Sequence, residues 1–110
     1  FDKEKMKNIY EQTKNAAYEV IKYKGSTHYA IGLVLTEIIE AIIKNQHKVM
    51  PVSVMLNGQF GIKNIALSIP SVLNSNGIEK ILPISLNAQE LKALQNSAAK
   101  LKTVLKELKI

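Results

Sequence analysis

Apolar residues recur at helical spacing near the start of the chain. Between residue 2 and about residue 23 they are Met6, Tyr10, Ala17, Val20 and Ile21. This period of about 3.6 residues predicts a first helix. Asp2 and Glu4 favour the positive N-terminal end of that helix. Gly25, within Lys24-Gly25-Ser26, is expected to cap its C-terminus.

A second stretch, from about Thr27 to Asn45, is apolar on nearly every side. It contains the run Tyr29-Ala30-Ile31-Gly32-Leu33-Val34-Leu35. A narrow polar strip is formed by Thr36, Glu37, Glu40 and Lys44. The pattern predicts a helix buried in a larger body. The stretch is too short, and carries two glutamates too many, for a membrane span.

Three β-rich runs follow, separated by Asn/Gly turn signals. The runs are Val49–Leu56, Ile65–Leu73 and Ile78–Ser85. They predict a three-stranded antiparallel meander. The segment Gly58-Gln59-Phe60-Gly61 is expected to be a turn. Proline lacks an N–H to donate, so the prolines are expected at sheet edges or bulges: Pro51, Pro70 and Pro83.

The last predicted element is a long helix with one apolar stripe. Asn87 and Glu90 have the spacing of a capping box at its start. The stripe steps by 3, 4, 3, 4, 3 through Leu91, Leu94, Ala98, Leu101, Leu105 and Leu108. We expect these residues to pack in the core. The order of elements predicts an α+β fold: two N-terminal helices, the meander, and the long C-terminal helix.

Charge and composition narrow the classes of partner. The net charge is +6, and all 15 basic residues are lysines, scattered and often next to glutamate. The chain has no arginine and only six aromatic residues. Neither nucleic acid nor a membrane is therefore expected as a partner. The scattered lysines are typical of solvated helix faces, and both arginine forks and aromatic residues interleaved with basic ones are missing. The absence of cysteine favours a cytoplasmic location. The first residue, Phe1, fits a chain cut from a longer protein.

Catalytic motifs are scarce. His28 and His47 lie in different predicted elements, and neither has the neighbours of a metal site. The sequence contains no glycine-rich phosphate loop of the GxGxxG or GxxxxGK[ST] type. Spacing alone therefore does not indicate an enzyme.

Several segments in a fixed order carry a specific resemblance over essentially all 110 residues. They are Asn15–Ile21, Lys24–Leu33, Val49–Val54, Leu56–Ile62, Leu67–Val72, Asn76–Ile78, Leu86–Glu90 and Ser97–Lys102. Together they closely resemble the C-terminal, substrate-side domain of the L-lactate dehydrogenases, in the lactate/malate dehydrogenase family. The resemblance implies that residues 1–110 are the C-terminal part of that domain.

The resemblance also implies what the parent protein does. It would be a cytoplasmic, NAD-dependent homotetramer of glycolysis and fermentation that interconverts pyruvate and L-lactate by hydride transfer. NAD would be bound mainly by an N-terminal domain that precedes this segment. The catalytic histidine, in a Gly-Glu-His-Gly run, and the substrate-holding arginines would also precede this segment. This segment alone is therefore expected to be inactive, with no catalytic residue of its own.

Thr27 has two interpretations. From the residues alone it is an N-cap of the second helix. By resemblance it matches the family's substrate-contacting threonine, at a helix N-terminus that favours a carboxylate. Ile31, one turn later, is either a core isoleucine or, by resemblance, the apolar residue against the nicotinamide ring of the cofactor.

Two residues of the first helix also match family positions. Ala17 is either a packing residue or, by resemblance, a residue that borders the substrate pocket. Tyr18 resembles a tyrosine common at this site; it is either a candidate for modification or a half-buried anchor of the helix. His28 does not coincide with the catalytic histidine and is assigned no role.

Two alternatives remain open. The parent is a malate dehydrogenase or another 2-hydroxy acid dehydrogenase on the same scaffold, although Thr27 in its Lys-Gly-Ser-Thr context favours lactate. From a different class, the segment is a stand-alone module that only binds or assembles with partners. A titration with NADH or a 2-oxo acid separates the two classes.

Overall fold

Three α-helices and one three-stranded sheet make up residues 2–108, the part of the chain that the computed structural model describes. The elements are α1 (Lys3–Lys24), α2 (His28–Ile43), β1 (Lys48–Asn57), β2 (Lys63–Asn74), β3 (Gly77–Ile81) and α3 (Ala88–Glu107), with a short 3-10 helix at Gln59–Gly61. This order confirms the predicted α+β class and the predicted turn at Gly58-Gln59-Phe60-Gly61. The chain divides into two compact units between Ile39 and Glu40, inside α2.

Both ends of α1 are capped: the predicted Gly25 cap is confirmed, and Asp2, expected at the positive end of the helix, also supplies a side-chain cap. A side-chain oxygen of Asp2 accepts hydrogen bonds from the N–H groups of Glu4 and Lys5, at 3.0 and 3.3 Å. At the other end Gly25 adopts the left-handed conformation, with φ of +80°. Its N–H donates to the carbonyl oxygen of Ile21 at 2.8 Å. These bonds satisfy backbone groups that the helix itself leaves unpaired.

The helix α2 is one residue shorter at its start than predicted and two at its end. Thr27 lies just before it, and the Thr27 carbonyl accepts a long hydrogen bond of 3.5 Å from the Ile31 N–H. Within α2 only Ala41 is buried in the described chain. Its burial in a larger body therefore stays a prediction. Among residues 2–108 no single helix has the length and apolar content of a membrane span; α1 and α2 meet the criterion only as a pair bent by 118°.

The sheet is an antiparallel meander in the order β1-β2-β3. The strands β1 and β2 pair along their length, from Lys48 opposite Leu73 to Asn57 opposite Lys63. The register shifts between Leu56 and Asn57, next to the turn. The predicted meander is confirmed.

The positions of the prolines partly contradict the prediction. Pro51 lies on the edge strand β1, as expected, but its partner Pro70 lies within the central strand β2 and at neither register shift. The Leu82 N–H donates to the Pro70 carbonyl at 2.9 Å. Pro70 has no N–H to return that bond, so the pairing of β3 cannot continue past this point. The predicted third run therefore ends as a strand at Ile81, and Pro83 lies in the irregular segment that follows.

The core of the second unit lies between the sheet and α3. Its buried members are Val54, Leu56, Ile62, Ile65, Leu67, Ile69 and Ala98. The alternation of buried and exposed residues along β1 and β2 places one face of each strand against α3. Gln95 on α3 also donates a side-chain hydrogen bond of 3.0 Å to the Phe60 carbonyl in the 3-10 helix.

The capping box of α3 is confirmed, but its apolar stripe is only partly in the core. The Asn87 side chain accepts from the Glu90 N–H at 2.9 Å, and the Glu90 carboxylate accepts from the Asn87 N–H at 2.8 Å. Leu91 and Leu94 are half-buried and Ala98 is buried. The expectation fails for the remaining stripe residues Leu101, Leu105 and Leu108, which are exposed. Leu101 and Leu105 line an open cleft together with Met55 and Ile65, rather than a closed core.

Substitutions at two neighbouring residues of β1 test this core directly. Leu56→Ala should lower the free energy of unfolding by about 2–5 kcal/mol, because Leu56 is fully buried and truncation leaves a cavity. Met55→Ala is the matched control, because Met55 alternates with the buried positions of β1 and is 64% exposed at the edge of the open cleft. Its cost should lie near the roughly 0.5 kcal/mol typical of exposed positions. Urea unfolding followed by circular dichroism measures both, and equal costs would contradict the assignment of faces.

Candidate functional site

The candidate site is the corner where α1 gives way to α2. Only residues 25–27 connect the two helices, and the chain bends by 118° there. Gly25 makes this sharp break possible, because its left-handed backbone ends α1 within one residue. Ser26 and Thr27 are half-buried, while most of α1 and the first turns of α2 are exposed. The corner therefore presents Thr27 at the N-terminal end of α2.

The side chain of Thr27 does not cap the helix. Among the described residues, no hydrogen bond joins the Thr27 hydroxyl to a backbone N–H of the first turn of α2, or to any other group. The carbonyl of Thr27, by contrast, accepts from Ile31. The hydroxyl of a capping threonine would accept a hydrogen bond from the N–H of the second or third residue of the helix. Within residues 2–108 the Thr27 hydroxyl is thus unbonded and no side chain caps the positive end of α2; a carboxylate suits such an end.

Ser26 and His28 bond to each other across Thr27. The Ser26 hydroxyl and Nδ1 of His28 form a hydrogen bond. The His28 ring also lies against the Tyr29 ring, with centroids 4.3 Å apart and planes tilted by 36°. A serine next to a histidine suggests an activated nucleophile, but that chemistry requires a third group to orient the histidine. No carboxylate within residues 2–108 bonds to His28. The pair therefore does not form a catalytic triad in this chain.

The other predicted site residues lie on the two helices that form the corner. Ile31 is one turn into α2 and 57% exposed, so it is not a core isoleucine of this chain. Ala17 is exposed on α1, about two turns before its end. Tyr18, beside it, is 74% exposed, so the described chain does not bury it as a half-buried anchor. A backbone hydrogen bond joins Thr27 and Ile31. Among the described residues, no hydrogen bond joins Tyr18 to the residues of the corner.

A lysine side chain lies beside the corner. An open cleft of about 400 Å³ is lined by Val20, Tyr23, Lys24 and Tyr29. Lys24 is the last residue of α1, where its positive charge outweighs the partial negative charge of that helix end, so that the positive N-terminus of α2 is not cancelled at the corner. The corner can therefore attract an anionic group.

A metal site is not formed in residues 2–108. No cluster of three or more histidine, cysteine, aspartate or glutamate side chains occurs there. His47 bonds instead to Glu79, with 2.8 Å between Nδ1 and the carboxylate oxygen.

The contact between Ser26 and His28 was not predicted from the sequence, where His28 had no role. The sequence signal that was available is a hydroxyl and an imidazole two residues apart, on either side of the candidate threonine. Such local side-chain bonds are common where a helix begins. The spacing does not reveal the bond, because its formation depends on the backbone turn at Gly25.

Comparison with known families gives a match over nearly the whole chain. Residues 1–109 match the family model described as lactate/malate dehydrogenase, alpha/beta C-terminal domain. The L-lactate dehydrogenase of Acetivibrio thermocellus is 44% identical over 102 residues, which cover 93% of this chain and 32% of that protein. The chain thus spans about a third of the length of this curated relative.

Solved structures of similar fold include two dehydrogenases. The minor L-lactate dehydrogenase from Enterococcus mundtii, in a ligands-bound form, has a TM-score of 0.90 and 36% identity, covering 97% of this chain and 34% of that one. The malate dehydrogenase from Archaeoglobus fulgidus, in complex with NADH, has a TM-score of 0.82 and 32% identity, covering 90% and 33%.

The exposed apolar side chains of α2 generate a prediction about the isolated chain. Those more than half exposed are Tyr29, Ile31, Leu33, Val34, Leu35, Ile39 and Ile43. Apolar patches of this kind mark interaction sites. The isolated chain should therefore self-associate and bind a hydrophobic dye, as gel filtration across a dilution series and dye fluorescence will measure.

A charge placed on this surface should weaken the association. Leu33→Lys puts the charge on α2, and Tyr10→Lys puts the same charge on an exposed position of α1 as the control. Only Leu33→Lys should shift the chain toward monomer. A wild-type chain that is monomeric and binds no dye would contradict the prediction.

Proposed function

Because this chain belongs to the lactate/malate dehydrogenase family, we propose that it is the C-terminal, substrate-side part of an NAD-dependent L-lactate dehydrogenase. The parent enzyme interconverts pyruvate and L-lactate by hydride transfer. The similarity to L-lactate dehydrogenases at about a third of their length supports this proposal. The structural observation that carries it is the position of Thr27, half-buried at the uncapped start of α2 with its hydroxyl unbonded among the described residues.

Thr27 forms part of the substrate pocket in this proposal. Its hydroxyl contacts the 2-oxo acid, and its methyl group limits the room for the substrate side chain. The positive N-terminal end of α2 and Lys24 nearby stabilise the substrate carboxylate. Ala17 borders the same pocket from α1. Its small side chain leaves room there that a larger residue would fill.

Ile31 contacts the cofactor. Its exposed apolar side chain, one turn from Thr27, fits one face of a nicotinamide ring and excludes water from it. The described residues fit only this part of NAD, because none of their turns is a glycine-rich phosphate loop at the start of a helix. The cofactor supplies the hydride when bound, and we propose that the N-terminal domain of the parent holds most of it.

The chemical step relies on groups outside this chain. A histidine that donates a proton to the carbonyl oxygen, and arginines that hold the carboxylate, belong to the part of the parent enzyme that precedes this segment. The segment then acts as one wall of the pocket. We further propose a cytoplasmic homotetramer, in which parts of the exposed apolar surface of α2 contact the preceding domain or other subunits. Tyr18, exposed on α1, stays a candidate for modification.

Malate dehydrogenase is the second candidate function. The malate dehydrogenase from Archaeoglobus fulgidus shares the fold at a TM-score of 0.82, so the scaffold does not discriminate between the two substrates. The Lys-Gly-Ser-Thr context of Thr27 favours lactate. Comparing pyruvate with oxaloacetate as substrates of the full-length enzyme distinguishes them.

The isolated chain should be catalytically inert. Residues 2–108 form no dinucleotide fold, and the sequence has no histidine in the family's catalytic motif, so the chain can assemble neither the hydride donor nor the proton donor. The measurement is NADH oxidation with pyruvate at high protein concentration. Turnover above the blank would contradict the proposal that the groups needed for the chemical step lie outside this segment. Saturable binding of NADH or pyruvate without turnover would instead favour a stand-alone binding module.

Substitution of Thr27 in the full-length enzyme tests the pocket wall. Thr27→Gly removes a hydroxyl and a methyl group beside the substrate. We expect kcat/KM for pyruvate to fall, while 2-oxo acids with larger side chains lose less or gain. The ratio between them should change by about 10–200-fold, since a methylene-sized change in pocket fit is worth about 1–3 kcal/mol.

Thr27→Ser is the matched control, because it keeps the hydroxyl and removes only the methyl group. It should retain most activity toward pyruvate. If Thr27 were only a helix cap, Thr27→Gly would cost a few tenths of a kcal/mol in stability and leave the substrate ratio unchanged. An unchanged ratio together with a lower melting temperature would therefore refute the pocket role.

A further inference from the structure

The connection between α1 and α2 contains a second feature besides Thr27 itself. The side chains on either side of Thr27, Ser26 and His28, are joined by a hydrogen bond. This bond closes a small ring that includes the backbone of Thr27. We propose that Ser26 and His28 are positioning residues that hold Thr27 in the orientation needed to contact the substrate; this inference rests on the proposed function of Thr27.

Thr27 needs such support because little else holds it. Gly25 precedes the connection and has no side chain to restrict its backbone, and open space surrounds the place where a Cβ would be. The hydroxyl of Thr27 has no hydrogen bond within the described chain. Its carbonyl bond to Ile31 is long, at 3.5 Å. The bond between Ser26 and His28 is thus the one side-chain constraint across Thr27 among residues 2–108.

The imidazole is itself held in place. Its ring packs against the Tyr29 ring at 4.3 Å between centroids. Tyr29 in turn lines the cleft with Val20, Tyr23 and Lys24. Ring pairs of this kind are favourable, so the contact with Tyr29 stabilises the observed orientation of the His28 ring. Ser26, His28 and Tyr29 therefore form a connected set of side chains, here called the clamp. It runs from the cleft to Ser26 and encloses the backbone of Thr27.

The clamp has no part in proton transfer. A neutral imidazole accepts the hydrogen bond from the serine O–H at Nδ1, while a protonated one donates it to the serine oxygen. The bond can form in either state, so the constraint on Thr27 does not depend on a proton leaving the pair. The two residues act through the geometry of Thr27 rather than on the substrate.

The test uses the full-length enzyme and steady-state kinetics with pyruvate and a bulkier 2-oxo acid. Ser26→Ala removes the hydroxyl and should lower kcat/KM for pyruvate by about 2- to 12-fold, the range expected of one hydrogen bond. His28→Phe keeps a ring against Tyr29 but removes Nδ1, and should have the same effect. Ser26→Thr keeps the hydroxyl and should restore most of the activity.

Double-mutant cycles separate positioning from a merely structural role. The Ser26→Ala/His28→Phe double variant should be no worse than either single variant, because both remove the same bond. In a Thr27→Gly background, Ser26→Ala should have almost no further effect on kcat/KM, because there is no side chain left to position. The preference for pyruvate over the bulkier acid should relax in Ser26→Ala in the same direction as in Thr27→Gly.

The possible failures are distinct. If Ser26→Ala lowers the melting temperature but leaves kcat/KM and the substrate ratio unchanged, the pair is only structural and the positioning role is wrong. If its effect adds fully to that of Thr27→Gly, the pair acts independently of Thr27, which also overturns the inference. If Thr27→Gly itself changes neither kinetic quantity, the proposed function of Thr27 fails, and the positioning role fails with it.

Discussion

Gly25 takes a φ of +80°, and its N–H closes the end of α1 onto the Ile21 carbonyl. A residue with a Cβ adopts this conformation only at a cost in free energy, whereas glycine does so readily. Because α1 stops there, α2 can begin three residues later and at a sharp angle. Thr27, its uncapped helix end and its neighbours Ser26 and His28 all take their places from this turn.

The two compact units of the chain differ in burial, and the proposed function gives them different roles. In the second unit, the sheet and α3 enclose a core around Leu56, Ile69 and Ala98. The first unit has no buried residue among those described, and it carries every residue proposed to meet substrate or cofactor. A segment that contacts a ligand must keep polar and apolar groups accessible, at the expense of local packing. The exposed apolar positions of α2 agree with a role in contacts beyond this chain.

Much of the fold follows from local sequence signals. The Gly25 cap and the Asn87–Glu90 box fix helix ends through short-range bonds, which spacing alone reveals. The sequence also places Asp2 at the positive end of α1, but it did not predict the hydrogen bonds from Glu4 and Lys5 to the Asp2 side chain. Alternation along β1 and β2 indicates which side chains face the core, while the register itself also depends on the turn that joins the strands. The end of β3 was not predictable, because it depends on Pro70 lying opposite Leu82 across the sheet. The exposure of Leu101 and Leu105 was not predictable either, since a stripe on a helix does not show how far the opposing surface extends.

The candidate site was predictable only in part. Family resemblance singled out Thr27 and Ile31, and helical spacing placed them one turn apart. The unbonded hydroxyl of Thr27 and the bond between Ser26 and His28 required coordinates, because both depend on side-chain rotamers at a turn. Family membership likewise defines the scaffold, while the substrate is decided by side chains around the pocket.

A crystal structure of the full-length enzyme with NADH and a non-reducible pyruvate analogue tests the central claim most directly. The quantity to measure is the distance from the Thr27 side chain to the analogue. The account predicts contact, within about 4 Å, with the nicotinamide ring against Ile31. An analogue bound elsewhere, with Thr27 turned back to cap α2, would contradict it.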